Sequence, residues 1–307
     1  MSAPLAQDSP VDAFQAITLG IVQGLTEFLP ISSTAHLALV PWAFGWQDPG
    51  HTFDVALHAG TLIAVTAYFW DDLRRMAVAF ARSLIGLLRR TPSPRSLGAA
   101  ALEAPSGPAA PDPHGVLAWM VVAGSVPAVL AGVLIEKWVE TTLRSPLVIA
   151  GTLIGVALLI WVIDRRASGH RAWQDLRLKD AVLIGVAQAC ALVPGVSRSG
   201  ATITMGLLLG LSRADAARFS FLLGFPVILG STVFKLRHLF EDASLQALAP
   251  WMALGAAAAA LSGYACIAFL LRFLASRTML TFVLYRVALG SLILFLVAMG
   301  WAPKIGG

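Results

Sequence analysis

The chain has 307 residues, of which 57% are hydrophobic and 13% charged, and its mean hydropathy is +0.77. Soluble globular chains carry about 25% charged residues, so this composition excludes a water-soluble domain and marks an integral membrane protein. A net charge of +5 and a pI near 9.7 raise nucleic acid as a partner, but no segment interleaves aromatic and basic residues as nucleic-acid surfaces do; the excess reads as membrane topology.

The apolar runs reach roughly 18 to 23 residues, long enough to cross a hydrocarbon core of ~30 Å as helices. They lack the alternation of a membrane β-barrel, so the expected fold is all-α and polytopic. In chain order the segments fall at 11–29, 30–45, 52–70, 116–135, 146–163, 180–193, 200–211, 216–235, 250–272 and 279–301. Six can span fully. The other four form two pairs, split by Pro30 and Pro194, the pattern of re-entrant hairpins whose tips meet inside the protein.

The first ten residues, MSAPLAQDSP, contain no Lys or Arg. They lack the charged region of a cleaved signal peptide, and the first helix is expected to remain in the mature protein. Cys190 and Cys266 both lie in apolar stretches and read as packing residues rather than a disulfide or a metal site. The stretch 91–114 holds six of the seventeen prolines and is expected to be a disordered cytoplasmic linker. The run Ala256 to Ala260 suits close helix packing.

Charge sets the orientation. Arg74, Arg75, Arg82, Arg89, Arg90 and Arg95 follow the span ending near 70; Arg165, Arg166, Arg171, Arg177 and Lys179 follow the span ending near 163. With Arg213, Arg218, Arg272 and Arg277 they place fifteen basic residues on one face, against five on the other: Lys137, Arg144, Lys235, Arg237 and Lys304. By the positive-inside rule the richer face is cytoplasmic, which puts both termini outside. Arg198 and Arg286 remain, both inside apolar segments, where a charge is a functional candidate by default.

An internal repeat is visible. GIVQGLTEFLPISSTAH begins at Gly20 and GVAQACALVPGVSRSGAT at Gly185; both run Gly, two residues, Gln, an apolar stretch, Pro, then a hydroxyl cluster. Three spans follow each copy. Because three is odd, the second copy enters from the opposite side, giving two inverted-topology repeats at 1–163 and 180–301, each a re-entrant hairpin (11–45 and 180–211) plus three spans.

Polar residues gather at these hairpins. Gln23 and Glu27 share one helix face at i, i+4 spacing; Ser32, Ser33, Thr34 and His36 follow Pro30; Ser197, Arg198, Ser199 and Thr202 follow Pro194. Each also has a plainer reading. Hydroxyls in membrane helices bond backbone carbonyls, Gln23 and His36 can be packing residues, and Glu27 with Arg198 can be a structural ion pair. Arg286 reads as structural or snorkelling, and Asp54 with His58 as interfacial, so these three stand outside the candidate set.

Taken together the candidates suit a phosphorylated ligand. Arginine grips phosphate in a bidentate fork, helix N-termini and exposed backbone N–H groups add positive potential, and Glu27 can hold a divalent cation together with the phosphates. Ser33 and His36 supply a nucleophile and a base. A phosphate site inside a membrane suggests a lipid phosphate.

Residues 23–36, QGLTEFLPISSTAH, and 194–202, PGVSRSGAT, resemble the two signature motifs of bacterial undecaprenyl-diphosphate phosphatases of the bacitracin-resistance type. The resemblance covers nearly the whole chain in motif order and span count. It implies hydrolysis of undecaprenyl diphosphate to undecaprenyl phosphate and inorganic phosphate, recycling the carrier lipid for cell-wall synthesis. It also implies an inner-membrane location, a site open to the outer side, and dependence on Mg²⁺ or Ca²⁺. By motif match Glu27 is the essential glutamate, Ser33 and His36 the serine and histidine, and Ser197, Arg198, Ser199 and Thr202 the phosphate-binding loop. The substrate lipid and the surrounding membrane are the implied partners, with no nucleic acid; a homodimer is left open. Gln23 stands where many relatives have a second glutamate, which puts a two-carboxylate metal site in doubt.

In the mechanism expected from this pattern Ser33 attacks the terminal phosphate while His36 accepts its proton, Arg198 binds that phosphate, and Glu27 orients His36 or the cation. Direct attack by water is the alternative. The rival from another class is an inverted-repeat transporter or lipid-carrier flippase, which needs a binding site but no nucleophile.

Overall fold

The computed structural model describes residues 11–47, 49–89, 112–143, 145–239 and 245–300. They form eleven α-helices and a single 3-10 turn at Trp173–Asp175, with no strand beyond an isolated bridge between Arg171 and Leu211. Ten of the helices fall on the ten apolar segments. The proline-rich stretch lies outside the described residues up to 111, and α5 already begins at Pro113.

Helix α1 (Ala13–Phe28) starts from a capping box in which the Asp12 carboxylate accepts from Gln15 N at 2.8 Å and the Gln15 side chain accepts from Asp12 N at 3.2 Å. It stops at Leu29, whose backbone is extended because Pro30 follows it. Helix α2 (Ser33–Phe44) returns from that break and ends on Gly45, left-handed at φ 67°.

Helix α3 (Gly50–Tyr68) and helix α4 (Trp70–Arg89) meet at a bend of 82°. Here the structure corrects the sequence expectation, which treated the arginines after residue 70 as loop charge. Helix α4 buries Met76 and Ala79 against α5, exposes Trp70, Val78, Leu84 and Ile85, and carries Arg75 and Arg82 exposed on the remaining side. Such a three-faced helix, turned 82° from α3, has the form of an interfacial helix rather than a connector.

Helix α5 (Pro113–Thr142) and helix α6 (Pro146–Arg166) both open with proline in the first turn, capped by Asp112 and Ser145. The second half comprises α7 (Leu178–Cys190), α8 (Arg198–Leu208), α9 (Arg213–Leu239), α10 (Leu245–Leu274) and α11 (Leu280–Ala298). Five helices, α5, α6 and α9 to α11, are long and apolar enough to cross a membrane, or six spans if the bent α3–α4 pair is one. The protein is therefore a multi-pass membrane protein.

Helices from the two halves pack on each other. Helices α1 and α3 lie on α10, α7 and α9 lie on α5, α6 pairs with α11, and α3 with α9. The alanine run of α10 serves this packing: a Cβ on Gly24 would overlap Ser262 and the backbone at Ala259 and Gly263, and a Cβ on Gly60 would meet Ala256 and Ala259. At the arginine-rich end, ion pairs pin the helix ends. Arg213 bonds Asp164 at 2.6 Å, the other Asp164 oxygen accepts from Met279 N at 3.0 Å, and Arg218 reaches Asp72 at 2.7 Å. Arg171 clips Asp180 and the carbonyls of Leu209 and Asp175, each at 2.7 Å.

Candidate active site

The break before α2 and the break before α8 come together in the interior. Each is turned by a serine, Ser32 at φ 78° and Ser197 at φ 74°, and among the described residues these are the two non-glycine positions with positive φ. This conformation costs roughly 1–3 kcal/mol at each serine. Each hydroxyl offsets part of that cost by capping its helix: Ser32 Oγ accepts from Ala35 N at 3.5 Å and Ser197 Oγ from Gly200 N at 3.2 Å.

Arg286 of α11 joins the two tips. Its guanidinium donates to the carbonyls of Pro30 (3.1 Å) and Gly195 (2.8 Å), and to those of Leu153 (3.2 Å) and Thr152 (3.4 Å) on α6. The residue is fully buried. Thr152 Oγ1 donates to Pro194 O at 2.7 Å, and Ser199 Oγ to Leu29 O at 3.0 Å. Gly195, left-handed at φ 89°, fits here because a Cβ would overlap Thr152 Oγ1. Arg286, outside the candidate set on sequence grounds, is thus the clip that holds the candidate residues in register.

Glu27 is the centre of the polar cluster. Its Oε1 accepts from Arg198 Nε (3.3 Å) and Nη2 (3.2 Å), and its Oε2 accepts from Ser33 Oγ (3.0 Å) and Gln23 Nε2 (3.3 Å). One carboxylate therefore connects the hydroxyl of the first tip to the guanidinium of the second. Arg198 also donates to Ser220 O at 3.4 Å, while Ser220 Oγ and Thr202 Oγ1 are 2.6 Å apart. The guanidinium lies in a gap left by Gly224 of α9, where a Cβ would occupy its space. Gln23, Ser199 and Thr202 are almost wholly buried.

The pairing differs from the expected one. Ser33 donates to Glu27, and His36, one turn along α2, has both nitrogens engaged elsewhere: Nδ1 with Ser32 O at 2.7 Å and Nε2 with the Tyr285 hydroxyl at 2.6 Å. The cause is the left-handed turn at Ser32, which aims Ser33 back toward α1. Thr34 is exposed on the first turn of α2, apart from this network. The Nδ1 atom of His58 bonds Asp54 O at 2.8 Å within α3.

The motifs, the hairpins and their meeting point can now be set beside known proteins. The profile of "Bacitracin resistance protein BacA" matches residues 16–292. The chain belongs to this family. Among BacA-family relatives it is 48% identical over 294 residues to an undecaprenyl-diphosphatase of Myxococcus xanthus, covering 95% of this chain and 92% of the relative. It is 45% identical over 291 residues to an undecaprenyl-diphosphatase of Moorella thermoacetica, covering 94% and 98%. Undecaprenyl-diphosphatase 2 of Stutzerimonas stutzeri is also 45% identical over 291 residues, covering 93% and 98%.

Against that family background, four residues join the site without a motif to announce them: Ser220, Gly224, Tyr285 and Arg286. Arg286 had a signal, a charge within an apolar span. The others had none. Among the described residues no group of three or more His, Cys, Asp or Glu could cage a metal ion. Beside Glu27, however, the buried Gln23 Oε1 has no hydrogen-bond partner. One carboxylate and one amide oxygen fit a hard cation whose remaining ligands come from a diphosphate.

Proposed function

We propose that this protein hydrolyses undecaprenyl diphosphate to undecaprenyl phosphate and inorganic phosphate, using the two hairpin tips as one active site. The names of its BacA-family relatives and the family's bacitracin-resistance description support the activity. The observation that carries the mechanism is Glu27, bonded at once to Ser33 and to Arg198.

In the resting site Arg198 is neutralised by Glu27. An arriving terminal phosphate competes for that guanidinium, and phosphate matches its fork at least as well as a carboxylate does. The exchange leaves Glu27 bonded to Ser33 through Oε2, placed to take its proton. Ser33 Oγ then attacks the terminal phosphorus as its proton passes to Glu27, and the bond from phosphorus to the bridging oxygen breaks to release undecaprenyl phosphate. Water next attacks the phosphoserine and gives its proton to His36. The Ser33–phosphorus bond breaks, Ser33 recovers its proton from Glu27, and phosphate departs, taking up the proton held by His36. Phosphoryl transfer depends on positioning and charge neutralisation, which the partly buried Arg198 and the N-terminus of α8 supply. Glu27 and Gln23 Oε1 would hold a divalent cation, Mg²⁺ or Ca²⁺, which when bound neutralises diphosphate charge. Ser197, Ser199 and Thr202 shape the loop around the phosphate.

The cytoplasmic membrane of a bacterium is the proposed location, with the site open to the outer side and two inverted repeats as the architecture. The equivalent left-handed turns at Ser32 and Ser197 support the repeat, as does the reciprocal packing of α1 on α10 and α7 on α5. Phosphate release by the detergent-purified protein from a prenyl diphosphate, with and without Mg²⁺ or Ca²⁺, tests the activity. Cation-dependent release that Glu27→Ala abolishes is the expected result; no release from folded protein with any cation would sink the reading and favour a transporter.

A further inference from the structure

His36 Nδ1 faces the Ser32 carbonyl, which can only accept. That nitrogen therefore carries the hydrogen, and in the neutral ring Nε2 holds the lone pair. The Tyr285 hydroxyl sits 2.6 Å from Nε2, and the two rings are nearly parallel, with an interplanar angle of 10° and centroids 5.6 Å apart. The phenol oxygen is thus within hydrogen-bond reach of that nitrogen. Tyr285 is 43% exposed while His36 is 8% exposed, so the phenol closes the outer side of the imidazole. Its backbone is anchored by the neighbouring Arg286, which grips both tips.

Resting on the phosphatase reading above, we propose that Tyr285 is a further residue of the reaction, which sets the aim of His36, partners its Nε2 in both protonation states and relays the proton that His36 takes up. A hydroxyl can do this where most groups cannot. It donates to the neutral imidazole and, by turning its own hydrogen away, accepts from the imidazolium. The proton that His36 takes therefore travels through this hydroxyl, which passes its own hydrogen to Nε2 as it takes one from water and reverses the transfer later, while the imidazole ring stays in place.

Tyr285→Phe keeps the ring and removes the oxygen. Turnover is expected to fall about tenfold while KM stays within about twofold and the thermal midpoint is unchanged. In a His36→Ala background the same substitution adds no further loss, because Tyr285 acts only through His36. In full-length protein labelled with ¹⁵N-histidine, the Nε2 resonance assigned through His36→Ala moves in Tyr285→Phe while the Nδ1–H signature persists. Wild-type turnover in Tyr285→Phe, an unmoved Nε2 resonance, an additional loss in the double variant, or failure of Tyr285→Phe to fold would each overturn the proposal. Failure of the phosphatase reading looks different: the wild-type protein would release no phosphate, while the nitrogen spectra would still report the Tyr285–His36 bond.

Discussion

Arg286 donates to Gly195 O at 2.8 Å and, through its other terminal nitrogen, to Pro30 O at 3.1 Å. These carbonyls occupy equivalent places in the two tips, one residue after the break in the first motif's Leu29 and the second motif's Pro194. A guanidinium with five donors in a rigid fork can serve several carbonyls at once; an ammonium cannot reach them with the same geometry. Arg286→Leu leaves these buried carbonyls unsatisfied and is expected to cost on the order of 3 kcal/mol or more. Arg286→Lys should recover part of the stability and little of the activity. Thermal unfolding in detergent beside phosphate release checks both; a Leu variant as stable and active as wild type would remove the clip from the account.

Gly224 is the second positional dependence. Because a Cβ there would fall on the Arg198 guanidinium, Gly224→Ala must move that side chain away from Glu27. Turnover is expected to drop by about tenfold to a hundredfold with a thermal midpoint close to wild type, since the rest of α9 is untouched. Turnover kinetics of the purified variant decide it, and unchanged kinetics would mean that Arg198 does not work from its observed position.

The two serine turns give a prediction with opposite arms. Ser32→Ala removes the helix cap and keeps the positive-φ strain, whereas Ser32→Gly removes the cap and relieves the strain. The glycine variant should therefore be the more stable of the two by about 1–2 kcal/mol, and the same order should hold for Ser197→Ala and Ser197→Gly. Denaturation midpoints measured side by side test this; an alanine variant at least as stable as its glycine partner would mean that the turns are not strained.

Much of the helical plan is written locally, and so it was legible. Runs of apolar residues, the prolines at 30 and 194 and the hydroxyl clusters after them all announce their elements within a few residues. Helix α4 is not legible when its arginines are counted by face of the membrane; its period lies in Met76 and Ala79, which face inward, against Trp70, Val78, Leu84 and Ile85, which face outward. The site divides the same way. Residues within the two motifs were visible, but Ser220, Gly224 and Tyr285 reach it from helices far along the chain. As residue types in one motif, Ser33 and His36 read as a nucleophile and its base. Only the three-dimensional course of the turn at Ser32 shows that the Ser33 hydroxyl meets Glu27 instead.

The central claim is that Ser33, held by Glu27 at 3.0 Å, attacks the terminal phosphate. Phosphate release by Ser33→Ala, in protein whose folding matches wild type, tests it most directly. The account predicts a loss of turnover on the order of a thousandfold with the thermal midpoint retained. Near wild-type release by Ser33→Ala would contradict it and leave water as the attacking group.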